Sequence, residues 1–69
     1  MYYTYVLFSL KDKQLYTGYT IDLKSRFKQH ISGQVKSTSN RLPLKLVYYE
    51  ACLNQQDATR REKYLKSGN

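Results

Sequence analysis

Cysteine and proline each occur once among 69 residues, tryptophan is absent, and glycine occurs only three times. A lone Cys52 cannot close an intrachain disulfide, which fits a reducing compartment. One cysteine and one histidine are too few for a zinc site. The scattered glycines form no phosphate-cradling loop, and no nucleophile elbow is present to support a serine hydrolase. Carboxylates are also scarce, at five, and they are spread along the chain. A two-metal site built from several converging carboxylates is therefore excluded. No apolar run approaches the ~20 residues of a membrane span. Tyr5–Leu10 is short and interrupted by Ser9, so it does not read as a signal peptide. These absences predict a cytoplasmic chain with no membrane segment.

What is abundant is positive charge and tyrosine. Twelve Lys and Arg against five acidic residues give a formal charge of +7. Such a balance points to a polyanionic partner, usually nucleic acid, or to an anionic membrane surface. Eight tyrosines supply rings with polar tips, suited to half-buried sheets and the walls of a site. A chain this short buries only about 60% of the surface its unfolded form exposes. One domain spanning 1–69 is expected, monomeric, with a thin core of at most two layers.

Tyr2–Leu10 reads as a strand with apolar or aromatic residues on both alternating faces, hence covered on both sides. Lys11–Gln14 is a polar turn, and Leu15–Thr20 is a second strand completing a hairpin. Gly18 within it signals close approach of another group. Asp22 caps a helix that ends at Gly33, with Leu23, Phe27 and Ile31 as its buried stripe. Gln34–Leu44 is a polar loop, and Lys45–Glu50 a third strand. Asn54 caps a second helix running to about Lys66. The expected fold is α+β, in the order β-β-α-β-α, with a three-stranded antiparallel sheet flanked by helices.

Several residues stand out chemically. Ala58, Glu62 and Leu65 share one helix face, which puts a carboxylate where packing is expected. Such a glutamate must meet an arginine, a lysine or a metal, and a structural ion pair would satisfy it as well as a ligand would. Arg26 and His30 lie one turn apart, flanking the apolar stripe. The arginine offers a donor fork that fits a phosphate, and the histidine can exchange a proton with a hydroxyl or water. Tyr5 and Tyr16 sit on the two hairpin strands. A phenol acts as a base only if a cation lowers its pKa from near 10. Lys24, Lys28, Lys36, Arg41 and Lys45 surround the first helix and the following loop, where they can track a phosphate backbone.

Together these residues resemble the GIY-YIG nuclease family over nearly the whole chain. The first motif stands as Tyr3-Thr4-Tyr5, followed by Val6-Leu7, and the second as Tyr16-Thr17-Gly18. Arg26, in Asp22-Leu23-Lys24-Ser25-Arg26, matches the arginine of the family's first helix. His30 matches a histidine or tyrosine four residues on, and Glu62 the metal-binding glutamate. Tyr3 and Thr4 replace the first motif's glycine and isoleucine, and Thr17 replaces the second isoleucine; both tyrosines are kept. Many members carry an asparagine beyond the metal-binding helix. The chain reads as cut short of that position, and Asn69 is not assigned to the role.

The resemblance implies a DNA endonuclease working by one-metal hydrolysis. Tyr5, Tyr16, Arg26, His30 and Glu62 would be catalytic, and Glu62 would hold Mg²⁺ or Mn²⁺. Lys24, Lys36 and Arg41 are the expected nucleic-acid contacts. With no further DNA-binding domain, recognition of DNA structure is expected over base readout. Two other readings stand beside it. One is a module of the same fold that binds nucleic acid without cutting; the other is a domain for an acidic protein partner.

Overall fold

The computed structural model describes residues 1–68. Its elements follow the expected order: β1 (Tyr2–Ser9), β2 (Leu15–Thr20), α1 (Leu23–Ile31), β3 (Leu44–Cys52) and α2 (Gln55–Gly68). They form one antiparallel sheet in the order β2-β1-β3. β1 is central because it alone is apolar on both faces and can be covered from both sides. Asn69 lies outside the described residues.

The register arranges the chemistry. Tyr5 pairs with Gly18 and Leu7 with Tyr16 across β1 and β2. Residues opposite one another in a pair share a sheet face, so Tyr5 and Tyr16 are diagonal neighbours. On the other side of β1, Tyr5 pairs with Tyr49 and Leu7 with Leu46. The register shifts between Val6 and Leu7, leaving Val47 as the extra residue of a bulge.

Tyr5, Leu7 and Leu44 form the core, with Tyr16, Leu23, Phe27, Leu42 and Leu46 packed against it. Leu23 and Phe27 bring α1 onto this face. Fully burying a side chain such as Leu7 contributes about 1.5–3 kcal/mol. The opposite face carries α2: the Thr4 hydroxyl donates to the Ala58 carbonyl at 2.6 Å, both residues being buried. Helices therefore lie on both faces, giving three layers where two were expected. The apolar character of β1 on both sides is the reason.

The expected end signals are present. Asp22 Oδ1 accepts from the Ser25 N–H at 3.1 Å, and Asn54 Oδ1 accepts from the Asp57 N–H at 2.8 Å. Gly33 follows α1 with φ of 82°, the left-handed conformation glycine adopts at low cost. One expected core residue is displaced. Ile31 is 46% exposed, whereas His30 is 0% exposed. The buried face of α1 runs Leu23, Phe27, His30, so an imidazole occupies the place read as apolar. β3 also exceeds its expected span at both ends, because its whole length pairs with β1.

Candidate active site

Gly18 is the local feature that gives Tyr5 its position. A Cβ built at residue 18 would fall within the Tyr5 ring, against Cζ and the hydroxyl. The absent side chain lets the ring pass close over β2, with its phenol directed at α1. There the Tyr5 oxygen is 2.8 Å from His30 Nε2. His30 Nδ1 is 2.7 Å from Thr38 Oγ1, in the loop after α1. The rings of Tyr5 and Tyr16 both stand edge-on to the imidazole, with centroids 5.6 and 5.3 Å away. The Tyr16 hydroxyl accepts from Ser37 Oγ at 3.3 Å. One loop thus reaches Tyr16 through Ser37 and His30 through Thr38.

Arg26 sits one turn before His30, and its Nη1 donates to Gln29 Oε1 at 3.1 Å. Its charge is felt by both neighbours. Burial pushes the Tyr5 phenol above its ordinary pKa of 10.0, as do Tyr16 and Glu62, while hydrogen bonding and charge from Arg26 pull it down. Burial, aided by Arg26, pushes His30 from 6.5 to about 4. The imidazole is therefore neutral at neutral pH, and Tyr5 keeps its proton.

Glu62 lies on α2, across the sheet from α1, yet near enough to Tyr5 to act on it electrostatically. Tyr16 and the end of α2 border the same space: Tyr16, Lys13, Leu65 and Lys66 line a depression of about 600 Å³ along β2. The Glu62 side chain is 22% exposed, and Lys66 Nζ is 3.1 Å from its Oε2. The cation this glutamate needs is thus, in the folded chain, a lysine one turn on. No group of three or more His, Cys, Asp or Glu gathers among the described residues. A single half-open carboxylate is a donor set that suits Mg²⁺, which keeps several waters and takes one or two carboxylates plus substrate phosphate oxygens.

Tyr5, Tyr16, Arg26 and His30 thus gather on one sheet face, and Glu62, on the helix of the other face, reaches Tyr5 by its charge. Another depression, of about 690 Å³, lies elsewhere. It runs between α1 and β3, lined by Tyr3, Ile21, Leu23, Phe27, Leu46 and Tyr49 with Asp22 and Lys24. Its mainly apolar walls hold none of the five residues, so chemistry rather than volume marks the candidate site.

The three expected nucleic-acid contacts divide. Lys24 and Lys36 are exposed. Arg41 is engaged: its Nε donates to Asp12 Oδ2 at 2.6 Å and its Nη2 to the Leu15 carbonyl at 3.4 Å. That pair holds the Asp12 carboxyl down at about 2 and ties the loop to the β1–β2 turn. Thr38 was read as part of a polar loop, yet it is 0% exposed. Its hydroxyl looks like its solvated neighbours Ser37 and Ser39, and nothing in the local pattern distinguishes it.

Comparison with known proteins adds the lineage. The family model described as the GIY-YIG catalytic domain matches residues 1–69. A UPF0213 protein of Clostridium perfringens is 46% identical over 67 residues, covering 96% of this chain and 71% of that protein. One from Pediococcus acidilactici is 47% identical over 68 residues, covering 94% and 68%. One from Streptococcus agalactiae is 48% identical over 65 residues, covering 93% and 73%. No solved structure matches the chain. With the family model spanning all of its residues and relatives this similar, the chain belongs to the GIY-YIG family of nuclease domains.

Proposed function

We propose that this chain is a metal-dependent endonuclease that hydrolyses DNA phosphodiester bonds, with Tyr5, Tyr16, Arg26, His30 and Glu62 as its site. The observation that carries the reading is the buried hydrogen bond between the Tyr5 phenol and His30 Nε2, set beside an arginine and within electrostatic reach of a glutamate. A packing tyrosine has no need of such neighbours.

Glu62 would hold Mg²⁺ or Mn²⁺, exchanging its contact with the exposed Lys66 for the ion. The bound ion supplies neutralisation of the scissile phosphate and the leaving oxygen. Arg26 offers its fork to the charge growing on the phosphate. Tyr5 takes a proton from the attacking water while its own phenolic proton passes to His30 Nε2. Burial disfavours a free phenolate at Tyr5, so the two proton movements are coupled. His30 at 2.8 Å favours Tyr5 over Tyr16 as the proton acceptor. Tyr16 then orients the water or a phosphate oxygen, with Ser37 holding its hydroxyl.

The deciding assay offers labelled branched, flapped and single-stranded DNA with and without Mn²⁺. Cleavage should require the ion and leave 5′-phosphate and 3′-hydroxyl ends. Glu62→Ala should abolish it, and Tyr5→Phe should cost more than Tyr16→Phe. Metal-dependent cutting that survives Glu62→Ala would sink the mechanism. DNA binding without product under every condition would favour a non-cutting module.

A further inference from the structure

The buried protons around Tyr5 admit one consistent arrangement. The phenol oxygen faces His30 Nε2 at 2.8 Å. The charged group that acts on it from nearby is the Arg26 guanidinium, which could only donate. The phenol's own proton needs an acceptor, and His30 Nε2 is the one beside it. A neutral imidazole accepts at Nε2 only when its proton sits on Nδ1. Nδ1 is then a donor, and Thr38 Oγ1 lies 2.7 Å away to receive it. The threonine's single hydroxyl proton goes on to the Val35 carbonyl at 3.5 Å. Every donor then has an acceptor, as expected where no buried side-chain polar atom among the described residues lacks a partner. The opposite tautomer would turn a donor towards the phenol oxygen and leave the phenolic proton with no side-chain acceptor among the described residues.

We propose that Thr38 is a positioning residue: it holds His30 in the Nδ1–H tautomer and so keeps Nε2 open to accept the Tyr5 proton. The loop is built to hold that hydroxyl still. Val35 and Thr38 are both buried, the Thr38 N–H donates to the Val35 carbonyl at 3.0 Å, and the Arg41 N–H donates to the Thr38 carbonyl at 2.9 Å. The Arg41 carbonyl accepts from Ser9 Oγ at 2.7 Å, while its side chain is paired with Asp12. A threonine in a free loop could turn its hydroxyl to either ring state; this one is anchored on three sides.

The catalytic consequence rests on the endonuclease reading, but the tautomer does not. His30 is the only histidine, so long-range nitrogen–proton NMR spectra of the labelled protein contain one imidazole. At neutral pH the wild-type ring should carry its proton on Nδ1. Thr38→Val, which keeps the shape and removes the hydroxyl, should move population to the Nε2–H form. It should lower kcat by up to about 10²-fold, the low end of what a positioned acid–base group contributes, with KM unchanged. Thr38→Ser should restore both tautomer and rate. A wild-type ring protonated on Nε2 overturns the proposal, and so does a Thr38→Val protein that keeps the Nδ1–H form. If Thr38→Val does not fold, the wild-type spectrum and Thr38→Ser still decide. An Nδ1–H wild type that loses this form in Thr38→Val yet cuts no DNA upholds the assignment to Thr38 and counts against the nuclease reading alone.

Discussion

A methyl group at position 18 would occupy the space of the Tyr5 ring, and the far end of that ring is held by His30. Neither side can yield without moving the phenol. His30 is equally constrained, since it is buried with both ring nitrogens engaged. The folded imidazole gains a proton only near pH 4, against 6.5 for the free side chain. Between these values the unfolded chain binds more protons than the folded one. Stability is therefore full above pH 6.5 and falls as the pH drops towards 4, by an amount on the order of a few kcal/mol. Asp12 and Glu50, whose pKa values are lowered by Arg41 and Arg61, lose their contributions further down, as the pH falls from their ordinary values through the lowered ones. Urea unfolding from pH 7 to 4 should show the first slope, and His30→Gln should flatten it. An unchanged slope in that variant would assign the titration to another group.

At the scale of the element, α2 is joined to the sheet by the Thr4 hydroxyl at the Ala58 carbonyl, one turn before Glu62. This bond sets where the carboxylate stands relative to β2. Thr4→Val keeps the volume and should cost about 1 kcal/mol. Its effect on metal-dependent cleavage should be larger than that stability loss explains, measured where the protein remains fully folded. Equal losses of stability and rate at that temperature would reduce Thr4 to packing alone. The elements themselves were legible because their signals are local: Asp22 and Asn54 as caps, Gly33 past a helix, Gly18 under a ring. Ile31 was misread because helical periodicity does not tell which of two adjacent residues a short helix turns inward. The contacts of Thr38 and Glu62 were out of reach for a different reason. Thr38 depends on where Val35 and the Arg41–Asp12 pair carry the loop, and the lysine at Glu62 depends on which face of α2 meets β2.

Across the whole molecule, a charge of +7 on 69 residues would, on the endonuclease reading, set the interaction with DNA. The affinity should fall with salt at a slope of about −0.9 for each phosphate neutralised. Lys24→Ala and Lys36→Ala, both at exposed positions, should each reduce that slope by about one while leaving stability unchanged. Arg41→Ala should behave differently, lowering stability because its partner is Asp12. Fluorescence anisotropy in EDTA at several salt concentrations, with thermal unfolding alongside, separates the two outcomes. A slope unaltered by both lysine variants would place the DNA on another face.

The location of the two helices on opposite faces has a consequence for when the chain can be active. Tyr5, His30 and Thr38 belong to the layer of α1, whereas Glu62 belongs to the layer of α2, secured near its start by Thr4. Release of α2 alone would leave the proton-handling half intact and remove the carboxylate. On the endonuclease reading the site would work as an interlock: two separately docked parts must come together at the edge strand β2 before either has a reaction to perform. On that reading, a copy that has lost the packing of α2 would keep its proton relay and have no carboxylate with which to cut.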